Sequence, residues 1–182
     1  MNTYKQLNIP FKFEPPWERF TGDAYRELKV PKELHNEDLK KWLEQFNLEI
    51  KYSRYFYIPK GFEMPLHIDV MDYPNNYVRL NFIFDGAGSI MSWYELKDSN
   101  DPDNFDFYVS ENNETVRSYN KKKVKLIDSA HVKSGVLVNT GIIHSVYSPS
   151  DRHTFAFFMK EKGKDNRLEW DRAMEIFEGH FI

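Results

Sequence analysis

Two side chains that can bind a metal, His67 and Asp69, stand one residue apart in the segment Pro65-Leu66-His67-Ile68-Asp69. Side chains alternate between the faces of a strand, so His67 and Asp69 are predicted to point the same way. An imidazole beside a carboxylate supplies two of the three protein ligands in the two-histidine, one-carboxylate set that binds non-haem Fe(II). The third ligand is predicted to be His144, which lies much later in another strand-like segment, residues 141–146.

A cation and a hydroxyl follow His144 closely enough to belong to the same site. Arg152 comes directly after the turn Ser148-Pro149-Ser150-Asp151, at the start of a predicted strand, and Thr154 lies two residues further on the same face. A guanidinium can bind a carboxylate through two parallel hydrogen bonds, and the Thr154 hydroxyl can add another. Two neutral imidazoles and one carboxylate leave Fe(II) with a net positive charge, which attracts an anionic chelating cosubstrate. These residues therefore predict a metal site with an acid-binding position beside it.

The elements that must position these residues are mostly strands. Strand patterns cover residues 48–58, 64–71, 77–84, 89–96, 115–127 (a hairpin turning near Asn120), 135–139, 142–147 and 152–159. Helical periodicity predicts two flanking helices, at about 36–46 with Asn36 as N-cap and at about 166–178 with Asn166 and Glu169 as a capping box. Many short strands between turns, with no alternation of strands and helices, predict a mainly β fold of the jelly-roll or barrel-like double-sheet type.

Size and composition favour one domain spanning residues 1–182, with a core of about 48–160. The chain has 182 residues, 41% of them hydrophobic and 16% aromatic, which suits both a core and the walls of a cavity. Residues 3–34 are interrupted by prolines and predict an edge strand or two, packed by Trp17 and Phe20. The long polar segment 97–114 is interpreted as a lid or a surface excursion.

Charge and cysteine content exclude several classes of function. The net charge of −3 provides no general basic field, so neither nucleic acid nor an anionic membrane is expected as a partner. The absence of cysteine excludes a disulfide framework, a thiolate zinc site and a cysteine nucleophile. No N-terminal apolar run resembles a signal peptide and no stretch reaches membrane-spanning length, so a cytoplasmic location is expected. The oligomeric state is left open.

At these positions the chain resembles the Fe(II)- and 2-oxoglutarate-dependent dioxygenases, which carry H-x-D, a distal histidine and then an arginine or lysine on a double-stranded β-helix. His67, Asp69, His144 and Arg152 match that order, and residues 134–139 resemble the strand ahead of the distal ligand. Arg152-His153-Thr154 resembles the R-x-S/T pattern that holds the far carboxylate of 2-oxoglutarate in some members. The resemblance covers roughly residues 48–160.

One further segment, Tyr77-Val78-Arg79-Leu80-Asn81, resembles a strand of the aspartyl/asparaginyl-hydroxylase branch, in which basic and polar side chains face the cofactor pocket. The same alternation also allows Arg79 to lie on an outer, solvated sheet face. The resemblance, which extends to the prolyl hydroxylases, implies 2-oxoglutarate binding through Arg152, Thr154 and Arg79.

The resemblance also implies a reaction. Fe(II) held by the catalytic residues His67, Asp69 and His144 would use O₂ and 2-oxoglutarate to hydroxylate an amino acid, a peptide or another small molecule, with release of succinate and CO₂. Because Asp69 occupies its iron position, none is vacated for a halide, and hydroxylation is favoured over halogenation.

Other interpretations use the same residues differently. His131 and His153 are rival third ligands, although His153 alternates away from Arg152 and His131 precedes the strand pair; His35 and His180 lie at helix edges and are expected in solvent. A cupin-like metal enzyme without 2-oxoglutarate would keep the three ligands and use Arg152 for a substrate acid. A non-catalytic jelly-roll module, binding carbohydrate or building a particle, would hold no metal.

Overall fold

Two six-stranded antiparallel sheets make up most of this computed structural model, which describes residues 3–15, 20–69, 76–98, 105–109 and 115–182. The strands are β1 (Tyr4–Gln6), β2 (Arg26–Lys29), β3 (Leu48–Ile58), β4 (His67–Ile68), β5 (Val78–Asp85), β6 (Ile90–Leu96), β7 (Asp106–Val109), β8 (Thr115–Ser118), β9 (Val124–Ala130), β10 (Val136–Asn139), β11 (Ile143–Tyr147) and β12 (Arg152–Glu161). The first sheet has the order β1-β10-β5-β12-β3-β2 and the second the order β7-β8-β4-β11-β6-β9. This confirms the predicted mainly β, jelly-roll class of fold.

The first sheet is built around the pairing of β12 with β3, which runs from Arg152 opposite Ile58 to Glu161 opposite Leu48. On the other side of β12, Phe155 and Phe157 are the register partners of Phe82 and Leu80 in β5. Alternate side chains of these strands face opposite ways, so one face of the sheet is apolar and the other lines a cavity.

Two short helices cover the apolar face of the first sheet. Helix α1 (Glu37–Glu44) and helix α2 (Trp170–Ile176) bury their apolar stripes against it, and the rings of Trp42 and Phe177 stack at 5.4 Å. Burying such aromatic and aliphatic side chains stabilises the fold by roughly 1.5–3 kcal/mol each. The opposite face of the sheet, which the helices leave uncovered, is turned toward the second sheet.

The two helix starts follow different rules. Asn36 caps α1 as predicted, because its side-chain oxygen accepts a hydrogen bond of 2.9 Å from the Leu39 amide. The capping box predicted at Asn166 and Glu169 is wrong: Glu169 is itself the N-cap of α2 and its side chain makes no capping bond. Glu169 forms a β-bridge with Tyr77, so the backbone is extended there and the helix begins only after it.

Two further differences, at residues 115–127 and at His35, have tertiary causes. The predicted hairpin over 115–127 is wrong, because β8 pairs with β7 and β4 whereas β9 pairs with β6 at the far edge of the second sheet. The polar segment 97–114 contains the strand β7, and its residues 99–104 and 110–114 lie outside the described ones, as does Trp17. His35, expected in solvent, is buried and its Nε2 lies 2.7 Å from the Ser53 hydroxyl.

The metal strand is shorter than predicted. Of the strand expected over 64–71, the structure contains His67–Ile68, and residues 70–71 lie outside the described part of the protein. Among the described residues no helix is long and apolar enough to cross a membrane.

Candidate metal centre and its cavity

The three predicted ligands meet on the inner face of the second sheet. His67 in β4 and His144 in β11 are direct register partners, and their ring centroids are 4.5 Å apart. Asp69 follows β4 and places Oδ1 at 3.1 Å from His67 Nε2 and 3.6 Å from His144 Nε2. Ligand atoms bound at about 2.1 Å to one octahedral ion lie about 3 Å apart, so the set fits a single metal with small adjustments.

Backbone carbonyls set the tautomer of both histidines. His67 Nδ1 lies 2.7 Å from the carbonyl oxygen of Pro65, and His144 Nδ1 lies 2.8 Å from that of Ile142. A carbonyl only accepts hydrogen bonds, so each Nδ1 carries the proton and each Nε2 keeps its lone pair. His144 Nε2 is buried and has no hydrogen-bond partner in the described part of the chain. A buried lone pair of this kind is what a divalent metal would occupy.

Arg79 holds the third ligand in place. Its Nη1 donates a hydrogen bond of 2.6 Å to Asp69 Oδ2, which leaves Oδ1 directed at the two imidazoles. Burial alone would raise the pKa of Asp69, but the Arg79 guanidinium outweighs it and keeps that pKa well below its usual range. The carboxylate is therefore ionised and ready to bind a cation.

The electrostatic setting also keeps His144 neutral. Burial, together with neighbouring His67, lowers the pKa of His144 to about 3, although Asp69 acts in the opposite direction. A metal binds the neutral imidazole, so no proton has to leave His144 at neutral pH.

A cavity of about 310 Å³ between the two sheets contains the ligand set. Its lining comes from both sheets, with Arg79 and Asn81 on β5, Arg152 and Thr154 on β12, and aromatic side chains on β3. This volume is at the lower end of the range for small-molecule pockets, about 300–1,000 Å³. The cavity therefore suits small ligands.

Arg152 is a buried candidate for binding an anion in this cavity. It is 2% exposed, its Nε and Nη1 have no hydrogen-bond partner, and no ion pair joins it to a described carboxylate. Thr154 Oγ1 is likewise buried without a partner. Burial and the repulsion of Arg79 lower the pKa of Arg152 to about 10, so it stays charged at neutral pH. A buried, uncompensated guanidinium is costly unless a ligand neutralises it.

The structure brings all six predicted site residues to one cavity and leaves the rival histidines outside the metal cluster. His67, Asp69, His144, Arg79, Arg152 and Thr154 all line it. His153 faces the other side of the sheet, where its Nδ1 lies 2.5 Å from the Tyr55 hydroxyl, and His131 Nδ1 contacts the Ser89 carbonyl oxygen at 2.9 Å. No described residue of 97–114 lines the cavity.

Among the cavity residues that were not predicted as site residues, Asn81, Glu27 and Arg54 have amide or charged side chains. Asn81 shares the face of β5 with Arg79, and the alternation of that strand indicated it; its Oδ1 is buried and has no partner among the residues that the structure describes. Glu27 and Arg54 also line the cavity. Glu27 lies outside the predicted core, and nothing in the sequence indicates that it pairs with Arg54.

Comparisons with known proteins give fold-level similarities only. No protein-family model matches the sequence, and no curated protein matches it. A crystal structure described as an oxidoreductase of the 2OG-Fe(II) oxygenase family from Burkholderia pseudomallei is 9% identical, with a TM-score of 0.43 over 80% of this chain and 69% of that one. The X-ray structure of E. coli ycfD is 10% identical, with a TM-score of 0.47 over 90% of this chain and 42% of that one.

A third similar structure is a cupin 2 domain-containing protein from Halorhodospira halophila, 9% identical, with a TM-score of 0.32 over 96% of this chain and 88% of that one. At these identities and TM-scores the similarities do not bear on activity. Evidence on the function of this protein therefore comes from the residues of the site itself.

Proposed function

We propose that this protein is a non-haem Fe(II)- and 2-oxoglutarate-dependent dioxygenase that hydroxylates a small substrate. His67, Asp69 and His144 would hold the metal, through atoms that all lie within 4.8 Å of one another. When bound, Fe(II) would supply the redox chemistry in which O₂ and 2-oxoglutarate are converted to succinate and CO₂ while one oxygen atom enters a C–H bond of the substrate.

The observation that carries the proposal is the unpartnered Arg152 in the same cavity as the ligand set. Two of its nitrogen atoms have no hydrogen-bond partner among the described residues, although Arg152 is only 2% exposed. The far carboxylate of 2-oxoglutarate would bind these nitrogens, with the Thr154 hydroxyl as a further donor. A dicarboxylic acid that chelates the metal at one end and pairs with a cation at the other matches both halves of the site.

Other residues of the cavity orient the metal ligands and exclude water from them. Arg79 holds Asp69 Oδ2 at 2.6 Å and so aims Oδ1 at the metal position. The carbonyls of Pro65 and Ile142 hold the imidazoles in the metal-binding tautomer. Aromatic side chains of β3 and β12 exclude water from around these charges, which strengthens every electrostatic contact in the cavity. A direct contact between Arg79 and 2-oxoglutarate stays a prediction.

The test is calorimetric titration of 2-oxoglutarate into protein loaded with Ni(II), which binds the ligand set without supporting turnover. We expect binding that requires the metal and that weakens at least 100-fold in Arg152→Met, because a bidentate, charge-assisted contact is lost. Arg172→Met is the control, since Arg172 is an exposed arginine paired with Glu161 and Glu175. That variant should bind as the wild type does.

A second measurement separates this function from its rivals. With Fe(II) and O₂, wild-type protein should release succinate from 2-oxoglutarate, His67→Ala should not, and His131→Ala should behave as wild type. Metal binding without 2-oxoglutarate binding would favour a cupin-like enzyme that uses Arg152 for a substrate acid. Absence of stoichiometric metal after loading would contradict both enzymes and leave a binding module.

A further inference from the structure

A second pair of opposite charges, Glu27 and Arg54, lines the cavity from the first sheet. The two residues lie on neighbouring strands, β2 and β3, and Arg54 Nε is 3.6 Å from Glu27 Oε1. Their side chains are only 4% and 7% exposed, for Arg54 and Glu27 respectively. The Tyr25 hydroxyl lies 3.5 Å from the other Glu27 oxygen.

The other charged groups of the cavity already have a role in the proposed reaction. Asp69 and Arg79 belong to the metal centre, and Arg152 faces the cosubstrate. Among the described residues that line the cavity, this leaves Glu27 and Arg54 as the charged pair for the substrate. A buried ion pair is weak evidence for stability, because removing both charges from water costs about as much as their attraction returns.

Aromatic side chains connect the pair to the metal centre along the cavity wall. Phe56 is the register partner of Glu27, and its ring is 5.2 Å from the Arg79 guanidinium that binds Asp69. The Arg54 guanidinium lies 5.7 Å from the Tyr52 ring. The charged pair and the metal centre thus line one cavity, and Phe56 is a neighbour of both.

The chemistry of the pair defines a ligand. Glu27 and Arg54 are neutral together but present an acceptor and a cationic donor side by side. A ligand that matches them carries one ammonium and one carboxylate on the same carbon atom and is also neutral overall. The α-ammonium and α-carboxylate of a free amino acid have this arrangement, whereas a residue inside a peptide has neither charge. Phe56, Phe62 and Met64 in the cavity wall suit an apolar side chain.

We infer that the substrate is a free α-amino acid with an apolar side chain, its ammonium bound by Glu27 and its carboxylate by Arg54. This inference rests on the proposed function. The reaction converts one C–H bond of the amino acid's apolar group to C–OH: one oxygen atom of O₂ enters the product and the other enters succinate, while 2-oxoglutarate loses CO₂ and supplies two electrons. Both charges of the amino acid are unchanged in the product.

The first test needs no variant. Wild-type protein loaded with Ni(II) and 2-oxoglutarate is dialysed against free L-leucine, L-isoleucine, L-methionine and L-phenylalanine, and each is compared with its N-acetyl derivative and its carboxamide. We expect at least one free amino acid to bind 10- to 100-fold more tightly than both derivatives, because each derivative lacks one charge. If no free amino acid binds, or if the derivatives bind equally well, the inference is wrong.

Variants then assign the two contacts. Glu27→Gln should abolish the preference for the free amino acid over its N-acetyl derivative and leave the preference over the carboxamide in place. Arg54→Gln should have the opposite effect: it should abolish the preference over the carboxamide and keep the preference over the N-acetyl derivative. A preference that both variants retain would place the amino acid elsewhere and overturn the assignment. Circular-dichroism melting shows whether each variant folds. If a variant does not fold, the inference is tested by the wild-type comparison of free amino acids with their derivatives.

The 2-oxoglutarate bound in the same samples distinguishes the two proposals. Metal-dependent 2-oxoglutarate binding without a preference for any free amino acid would end the substrate inference and leave the oxygenase intact. Absence of 2-oxoglutarate binding would end the oxygenase proposal. The derivative comparison on the metal-loaded protein would then show whether an amino-acid site exists without it.

Discussion

At the scale of single residues, the metal site is organised by very short-range contacts. Each histidine donates a hydrogen bond from Nδ1 to the carbonyl oxygen two residues before it, Pro65 for His67 and Ile142 for His144, so the imidazole tautomer is set by the adjacent backbone. Asp69 differs, because its orientation depends on Arg79 from another strand at 2.6 Å. The carboxylate is therefore the ligand whose position is most open to change by a distant substitution.

Arg79→Met should expose this dependence. The substitution leaves a largely buried carboxylate without its counter-charge, so we expect the metal-free protein to lose about 3 kcal/mol of unfolding free energy. A bound divalent metal supplies a new counter-charge to Asp69. Metal should therefore stabilise Arg79→Met more than it stabilises wild type, measured as thermal melting with and without Ni(II).

The control for this substitution is Arg172→Met, which removes an exposed arginine. It should change the unfolding free energy by no more than a few tenths of a kcal/mol, both with and without Ni(II). Equal metal-induced stabilisation in Arg79→Met and wild type would mean that Asp69 does not depend on Arg79 for its charge balance.

At the scale of elements, the turn between β5 and β6 fixes where Arg152 begins its strand. Gly86 has a φ of +68°, and a Cβ placed there would lie 2.9 Å from both Cβ and Cγ of Arg152. The Gly86 amide also donates a hydrogen bond of 2.7 Å to the Asp151 carbonyl oxygen. The turn thus packs directly against the base of the predicted cosubstrate-binding arginine.

Gly86→Ala should therefore displace Arg152 while sparing the metal ligands. We expect a loss of about 1–3 kcal/mol in unfolding free energy from the positive φ and the overpacking, with 2-oxoglutarate affinity lowered at least tenfold. Metal affinity should not change. Calorimetry with 2-oxoglutarate and with Ni(II) measures both.

Gly163→Ala provides the matched comparison, because Gly163 has a similar φ of +80° but no atom within 4 Å of an added Cβ. This substitution should lower the unfolding free energy by about 1–2 kcal/mol through backbone strain alone, and it should leave 2-oxoglutarate binding as in wild type. If both alanine variants bind 2-oxoglutarate equally, contact between this turn and Arg152 does not matter for the cosubstrate.

At the scale of the whole molecule, the cavity exists only because two sheets face each other. The second sheet supplies His67 and His144, and the first supplies Arg79, Arg152 and Thr154. Closing the sheets removes these polar groups from water before any ligand arrives. The metal-free protein therefore stores an unfavourable desolvation energy that depends on pH.

We expect the unfolding free energy of metal-free protein to fall between pH 7 and pH 5. Unfolded His144 takes up a proton near pH 6.5, whereas the folded protein, with a pKa of about 3 at this residue, does not. Lowering the pH therefore favours the unfolded state, by up to about 2 kcal/mol from His144 at pH 5. Urea unfolding in the presence of chelator measures this change. The His144→Gln variant should lose less unfolding free energy than wild type between pH 7 and pH 5. Equal losses would show that His144 is protonated in the fold.

Much of the architecture and most of the site were predictable from local patterns. The alternation over 77–84 placed Arg79 and Asn81 on one face and Leu80 on the other, and the structure confirms that separation between cavity and core. The spacing of Arg152 and Thr154 predicted a shared face in the same way. Periodicity succeeds here because a long strand with one apolar face has only one orientation that buries it.

Pairings between distant segments were not predictable. Residues 115–127 have the strand-turn-strand pattern of a hairpin, yet β8 and β9 lie in separate parts of the second sheet. Local propensity is the same for a strand that pairs with its neighbour and for one that pairs across the sheet. The ion pair between Glu27 and Arg54 was not predicted for the same reason, because its two residues meet only through the pairing register of β2 and β3.

The sequence by itself determined the kinds of chemistry available: two imidazoles, a carboxylate and a guanidinium in a fixed order along strands that alternate apolar and polar faces. Only the tertiary structure decided that His67 and His144 are register partners, that Arg79 binds Asp69, and that Arg152 is buried with no ion pair to a described carboxylate. The physical reason is that alternation is a property of each strand alone. Distance, burial and charge balance arise only when the two sheets face each other.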